Sequence, residues 1–107
     1  MKIILSPQMR SDSLKLEKLG NVLLVNGESF DFSRMRDGDR LPVGSVISDF
    51  IVGEVVCVAG ELELTVITPL YQNYTQEQAF PKPIADAQDG VVMDLKPEQQ
   101  TDEAVLK

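Results

Sequence analysis

Histidine and tryptophan are absent from these 107 residues, and cysteine occurs once. Without histidine, a Ser-His-Asp or Cys-His catalytic pairing within the chain is excluded, as is a zinc site of Cys and His. One thiol forms no internal disulfide, which fits a reducing compartment. Long apolar runs are missing too. Ile3-Ile4-Leu5 is followed at once by Ser6-Pro7, too short a run for a signal peptide or a membrane span. A cytoplasmic location with no membrane partner is therefore expected. Basic residues are scarce in the second half. Residues 1–60 carry seven Lys/Arg against eight Asp/Glu, and residues 61–107 carry three against nine, for a net charge of −7. Such a field repels phosphate backbones, so nucleic acid is not expected as a partner.

What is present is hairpin grammar. Val22–Phe32 (VLLV-NG-ESFDF) and Glu54–Val66 (EVVCV-AG-ELELTV) each set a two-residue turn between alternating apolar runs. Asn26-Gly27 tolerates the positive φ angles of a type I′ turn and pairs Val25 with Glu28 and Leu23 with Phe30. Ala59-Gly60 pairs Cys57 with Leu62 and Val55 with Leu64, leaving Val58 with Glu61 and Val56 with Glu63 on the opposite face. Leu14–Lys18 alternates as a half-exposed strand, and a turn at Leu19-Gly20 would pair Leu16 with Leu23 and Leu14 with Val25. Lys2–Leu5 reads as a first strand ending at Ser6-Pro7. Gly53 marks a bulge or bend between Ile51 and Val55.

The expected fold is all-β: a small antiparallel meander of hairpins, curled into a sandwich or roll over residues 1–83. Pro81-Lys82-Pro83 closes that domain. Residues 84–107 are rich in Asp, Glu and Gln and read as a flexible, disordered acidic tail, because such composition buries too little to offset chain ordering. One apolar island, Val91-Val92-Met93 with Leu95, interrupts it. Val22, Leu24, Val56 and Val58 fall on faces opposite the Phe and Leu sets. Either a second layer of the chain covers them or a partner does.

Candidate chemistry is sparse. Asp37-Gly38-Asp39 resembles a calcium loop, but an EF-hand starting at Asp37 needs Glu where Ser48 stands. It reads as a solvated turn beside Asp31, Arg34, Arg36 and Arg40. Cys57 lies on the core side of its strand with no cation to activate it. Glu61 and Glu63 share a strand face without any pocket signal. Tyr71 and Tyr74 read as covers over an open sheet end. Asn73-Tyr74-Thr75 matches a glycosylation acceptor that a chain without a secretion signal would not use. No Gly-rich phosphate loop is present, and neither a cofactor nor a metal is expected.

Taken in order, ILSPQMR (Ile4–Arg10), VLLVNGESFDFS (Val22–Ser33), DGDRLP (Asp37–Pro42) and VAGELELTVITPL (Val58–Leu70) resemble a family of small proteins of tailed bacteriophages and prophages. Its members open on a similar Leu-Ser-Pro-Gln, carry an Asn-Gly-Glu…Phe-Asp-Phe hairpin, and end the core on a strand running into proline. The resemblance covers residues 3–83 and is loose beyond. It implies a setting among virion tail and assembly genes, cytoplasmic during assembly or within the virion, and it brings no catalytic residue.

The leading expectation is thus a non-enzymatic tail or tail-assembly accessory protein. It would contact a phage structural or assembly protein, or a second copy of itself, through Val22, Leu24, Val56 and Val58 or through Val91, Val92, Met93 and Leu95. An acidic inhibitor of a host nucleic-acid-binding defence protein is the alternative. A carboxylate hydrolase would need a cleft lined by Asp31, Asp37 or Asp49.

Overall fold

The computed structural model describes residues 1–72 and 74–97. Among the described residues, eight strands and one helical turn follow one another as β1 (Lys2–Met9), β2 (Leu14–Leu19), β3 (Val22–Val25), β4 (Glu28–Asp31), β5 (Arg40–Leu41), β6 (Ile51–Val58), β7 (Glu61–Leu70), α1 (Gln76–Ala79) and β8 (Gly90–Leu95). They form two four-stranded sheets: sheet A in the order β1-β7-β6-β5, sheet B in the order β4-β3-β2-β8. The chain is all-β, a two-layer sandwich of sheets rich in antiparallel pairs.

Alternation along the strands builds the core between the layers. Leu14, Leu16, Leu23 and Val25 point inward from sheet B, and Ile3, Val55, Cys57, Leu62, Leu64 and Val66 from sheet A, all buried. Each large aliphatic side chain buried here contributes about 1.5–3 kcal/mol. The Asn26-Gly27 turn has φ of 51° and 85°, and β3–β4 pairs Val25 with Glu28 and Leu23 with Phe30, as expected. At Ala59-Gly60, φ is 53° and 77°, and Cys57 pairs with Leu62 and Val58 with Glu61. Gly53, at φ 75°, sits in the register shift between Val52 and Val56, which is the bulge its position suggested.

Three features depart from the sequence reading. The β2–β3 turn falls on Gly20-Asn21, so Leu16 pairs with Val25 rather than Leu23. Gly20 takes φ 58° at the first central position, which leucine would resist, and the turn moves to suit it. A displacement of two residues leaves every side chain on its expected face. Secondly, β1 does not stop at Leu5 but runs parallel to β7 through Pro7↔Thr68 to Met9↔Leu70. Ile3 exchanges two main-chain hydrogen bonds with Ile84, of 2.9 and 2.8 Å, on the side away from β7. Amide directions alternate along a strand, so Leu5, Pro7 and Met9 face that way too. The missing N–H of Pro7 therefore costs no ladder bond.

The third departure is the largest. Residues 84–97, expected in a flexible tail, belong to the fold: Ile84 bridges to Ile3, Ala87 is buried, and β8 pairs antiparallel with β2. The polar average over the segment conceals six residues that need no core of their own. β8 takes an edge that β2 has already built, setting Met93 opposite Leu16 and Leu95 opposite Leu14. The expectation of a mobile tail for residues 98–107 lies outside the described residues, as does Asn73 of the acceptor tripeptide.

Candidate functional site

The eight side chains singled out from the sequence fall in three places. Val22 and Leu24 lie on the outer face of sheet B, half-buried. Val91 joins them from β8. It stands opposite Glu17, whose other neighbour is Leu24, and it is 59% exposed. Directly opposed residues share a face, so Val91, Glu17 and Leu24 form one row across three strands. Leu19, opposite Val22 and 60% exposed, completes the next row. The sequence spacing puts Leu19 in a turn, whereas the turn at Gly20-Asn21 makes it the last residue of β2. Four apolar side chains thus surround Glu17, whose carboxylate meets Lys15 Nζ at 3.7 Å.

Val56 and Val58 are elsewhere, on the outer face of sheet A. Arg40 opposes Val56 from β5, and Glu63 and Glu61 oppose Val56 and Val58 from β7. Lys2–Glu63 at 3.5 Å and Arg40–Glu54 at 3.1 Å add further charge to that sheet. Charged neighbours outnumber this apolar pair, whereas on sheet B four apolar side chains gather round one ion-paired glutamate.

Val92, Met93 and Leu95 turn the other way. Val92 is the extra residue of a bulge, since Leu16 pairs with Met93 and Glu17 with Val91. It and Met93 pack against the core. Met93 and Leu95 line a groove of about 340 Å³ at the open seam between the sheets, with Leu5 from β1 and Thr68 and Leu70 from β7. Thr75, Glu77 and Gln78 of the α1 turn form another part of its wall. That turn is fixed by a reciprocal cap: Gln78 N–H donates to Thr75 Oγ1 at 3.1 Å, and Thr75 N–H donates to Gln78 Oε1 at 2.9 Å. The Thr-x-x-Gln spacing was legible in the sequence as this signal. Tyr71 is buried at the same end; its hydroxyl donates to the Asp12 carbonyl at 2.6 Å and lies 3.2 Å from that of Leu95. Tyr74 stays exposed.

The charged loop before β5 is engaged in holding the fold. Asp39 Oδ2 accepts the Arg36 N–H at 2.8 Å, Gly38 N–H donates to the Cys57 carbonyl at 2.8 Å, and Cys57 N–H donates to that of Asp39 at 2.9 Å. No group of three or more His, Cys, Asp or Glu able to hold a metal is found among the described residues. Asp31 and Asp39 share a recess of about 350 Å³ with Arg34 and Arg40. Hydrogen bonds from Ser33, side chain first and then main chain, hold the Asp31 carboxyl below its ordinary range. Such a group stays ionised at neutral pH rather than acting as an acid. Cys57 is buried on the core side, as expected.

Asp89, just before β8, is the other carboxyl held low. Its Oδ1 accepts from Lys18 Nζ at 2.7 Å and from the Gly20 N–H at 3.0 Å, the lysine having the larger effect. This ties the start of β8 to the β2–β3 turn and so holds Val91 beside Leu19 and Leu24. No helix among the described residues is long and apolar enough to cross a membrane. No family model matches the chain, nor does any curated protein or solved structure.

Proposed function

We propose that the chain is a non-enzymatic binding module that meets its protein partner with the outer face of sheet B. One observation carries this reading: Leu19, Val22, Leu24 and Val91 present apolar surface on the solvent side of a sheet whose inner side is already core. Scattered apolar residues are ordinary on a surface, whereas a contiguous cluster with a charged rim is the pattern of an interaction site. Lys15 and Asp94 supply that rim, and Glu17, ion-paired to Lys15, lies at the middle of the cluster; these charges are the means of choosing a partner.

The setting implied by the tail-gene resemblance makes the module a phage or prophage tail or tail-assembly accessory protein. Its partner is then a structural or assembly protein, met in the bacterial cytoplasm and retained in the particle where the contact persists. Leu24→Lys and Val91→Lys replace the apolar side chains on either side of Glu17 with charge, without touching the core. Both variants should remain folded and lose incorporation into particles, or lose co-purification with the assembly intermediate, as read by quantitative mass spectrometry. Unchanged incorporation of both variants would remove the sheet B face from consideration.

A further inference from the structure

The groove at the sheet seam holds a hydroxyl that the fold leaves unused. Thr68 lies on the inward side of β7, in line with Leu62, Leu64 and Val66, and is 5% exposed. It makes no hydrogen bond among the described residues, yet its hydroxyl is not sealed from solvent, because it forms part of the groove wall. At 5% exposure and with no protein partner, this hydroxyl is only partly hydrated, and valine of the same shape would fill the place without that desolvation cost. A ligand group that reaches it from the groove supplies the missing bond.

Two further features describe that ligand. Leu5, on the groove wall, directs its N–H and C=O away from β7, and no described residue bonds to them. The chain around Ile84 runs antiparallel to β1 and would reach Leu5 next. Pro83 and Pro81 interrupt that course, and Pro81 becomes part of the groove's lining. The edge of β1 is therefore open for one more strand-like contact, which requires a main chain rather than a hydrocarbon. Glu77, also on the wall, has no ion pair or hydrogen bond among the described residues. With a chain of net charge −7 behind it, it favours a cation.

We propose that this groove is a docking site for an extended segment of a partner protein, carrying an apolar anchor next to a lysine or arginine. The anchor sits between Leu70, Met93 and Leu95. The segment's main chain pairs with Leu5, one of its polar groups bonds the Thr68 hydroxyl, and its cation meets Glu77. A groove of about 340 Å³ admits one large side chain with its flanking peptide. The site is distinct from the sheet B face and does not rest on it.

Fluorescence anisotropy of the full chain with labelled Gly-Lys-Leu-Phe-Leu-Lys-Gly tests the proposal. Saturable binding is expected. Thr68→Val should weaken it about three- to tenfold through the lost hydrogen bond while raising the melting temperature, an opposition that a purely structural threonine would not show. Glu77→Lys should weaken it about two- to fivefold. N-methylation of the peptide's central residues should also reduce affinity, and Gly-Glu-Leu-Phe-Leu-Glu-Gly should bind several-fold worse, while Leu24→Lys should bind like the parent. If Thr68→Val does not fold, the N-methylated peptide and Glu77→Lys decide the matter alone.

Absence of binding, equal affinity for both peptides, or parental affinity in the Thr68 and Glu77 variants would overturn the proposal. A groove filled by a second copy would appear in sedimentation velocity as a dimer that the peptide dissociates, and this too would overturn it. So would competition by a peptide of residues 98–107 at comparable concentration, since the occupant would then be the chain itself.

Discussion

The two sheets carry the same kind of hairpin turn and secure it differently. At Asn26-Gly27 and Ala59-Gly60 the backbone is nearly identical, with φ of 51° and 85° in one and 53° and 77° in the other. In sheet B the asparagine side chain reaches outside its own hairpin. Its Oδ1 accepts the Lys15 N–H at 2.7 Å, its Nδ2 donates to the Ser13 carbonyl at 3.1 Å, and its main-chain N–H donates to the Lys15 carbonyl at 2.9 Å. One residue thus makes the turn and clamps β2 beside it. Sheet B's other turn is held from outside as well, by Asp89 on the Gly20 N–H. In sheet A, Ala59 has only a methyl group to offer, and the tip is tied by one long contact of 3.4 Å from Gly60 N–H to Asp37. A turn type states how the chain reverses. The side chain at its corner decides whether that reversal also joins neighbouring strands.

This contrast can be broken most sharply at Asn26. Asn26→Ala removes two side-chain hydrogen bonds and leaves a residue poorly suited to positive φ, so a loss of about 2 kcal/mol is expected in urea unfolding. Asn26→Asp keeps the acceptor but not the donor, and should lose about 1 kcal/mol. Ala59→Gly should go the other way, gaining about 0.5 kcal/mol, because relief of left-handed strain exceeds the added entropy of the unfolded chain. Equal losses at both turns would mean that the clamp to β2 contributes nothing.

A smaller effect is confined to acid. The folded-state pKa of Asp89 lies below 3.8, its ordinary value, chiefly through Lys18 and then through the Gly20 N–H. Its contribution is therefore complete above that ordinary value and is lost as pH falls through the lowered one. Asp89→Asn should flatten the stability profile below about pH 4 and leave the slope near neutrality unchanged. The group is exposed, so the change in slope is modest. Smallest of all, Asp37→Ala should alter unfolding by less than about 0.5 kcal/mol, because its contact is long and exposed.

What could be read from sequence was what local rules govern. Asn26-Gly27, Ala59-Gly60, the bulge at Gly53 and the inward positions of Leu14, Leu16, Leu23, Leu62 and Leu64 all follow from turn chemistry and period-two alternation. Pairings between distant segments carry no such mark. Lys2 meets Glu63 and Leu14 meets Leu95 with no turn to announce either contact. The same limit applies to the candidate surfaces. Val22 and Leu24 were visible as misplaced apolar residues, but their neighbour Val91 comes from the far edge of the sheet. Leu19 beside Gly20 has the look of a turn residue, and only the pairing with Val22 shows its side chain on the sheet. Thr68 sits where alternation calls for an apolar residue, and that mismatch in β7 was the available hint of the groove.

The parallel contact between β1 and β7 has a consequence for how the molecule is made. Its two strands flank nearly all of sheet B in the chain. During synthesis, Lys2–Met9 therefore stays without its partner until Leu70 has emerged, and β2 keeps an open edge until β8 follows. Contacts this distant in sequence form slowly and leave apolar strands bare meanwhile. A nascent chain arrested before β7 would be a sticky half-sandwich, and chaperone capture should peak at such lengths.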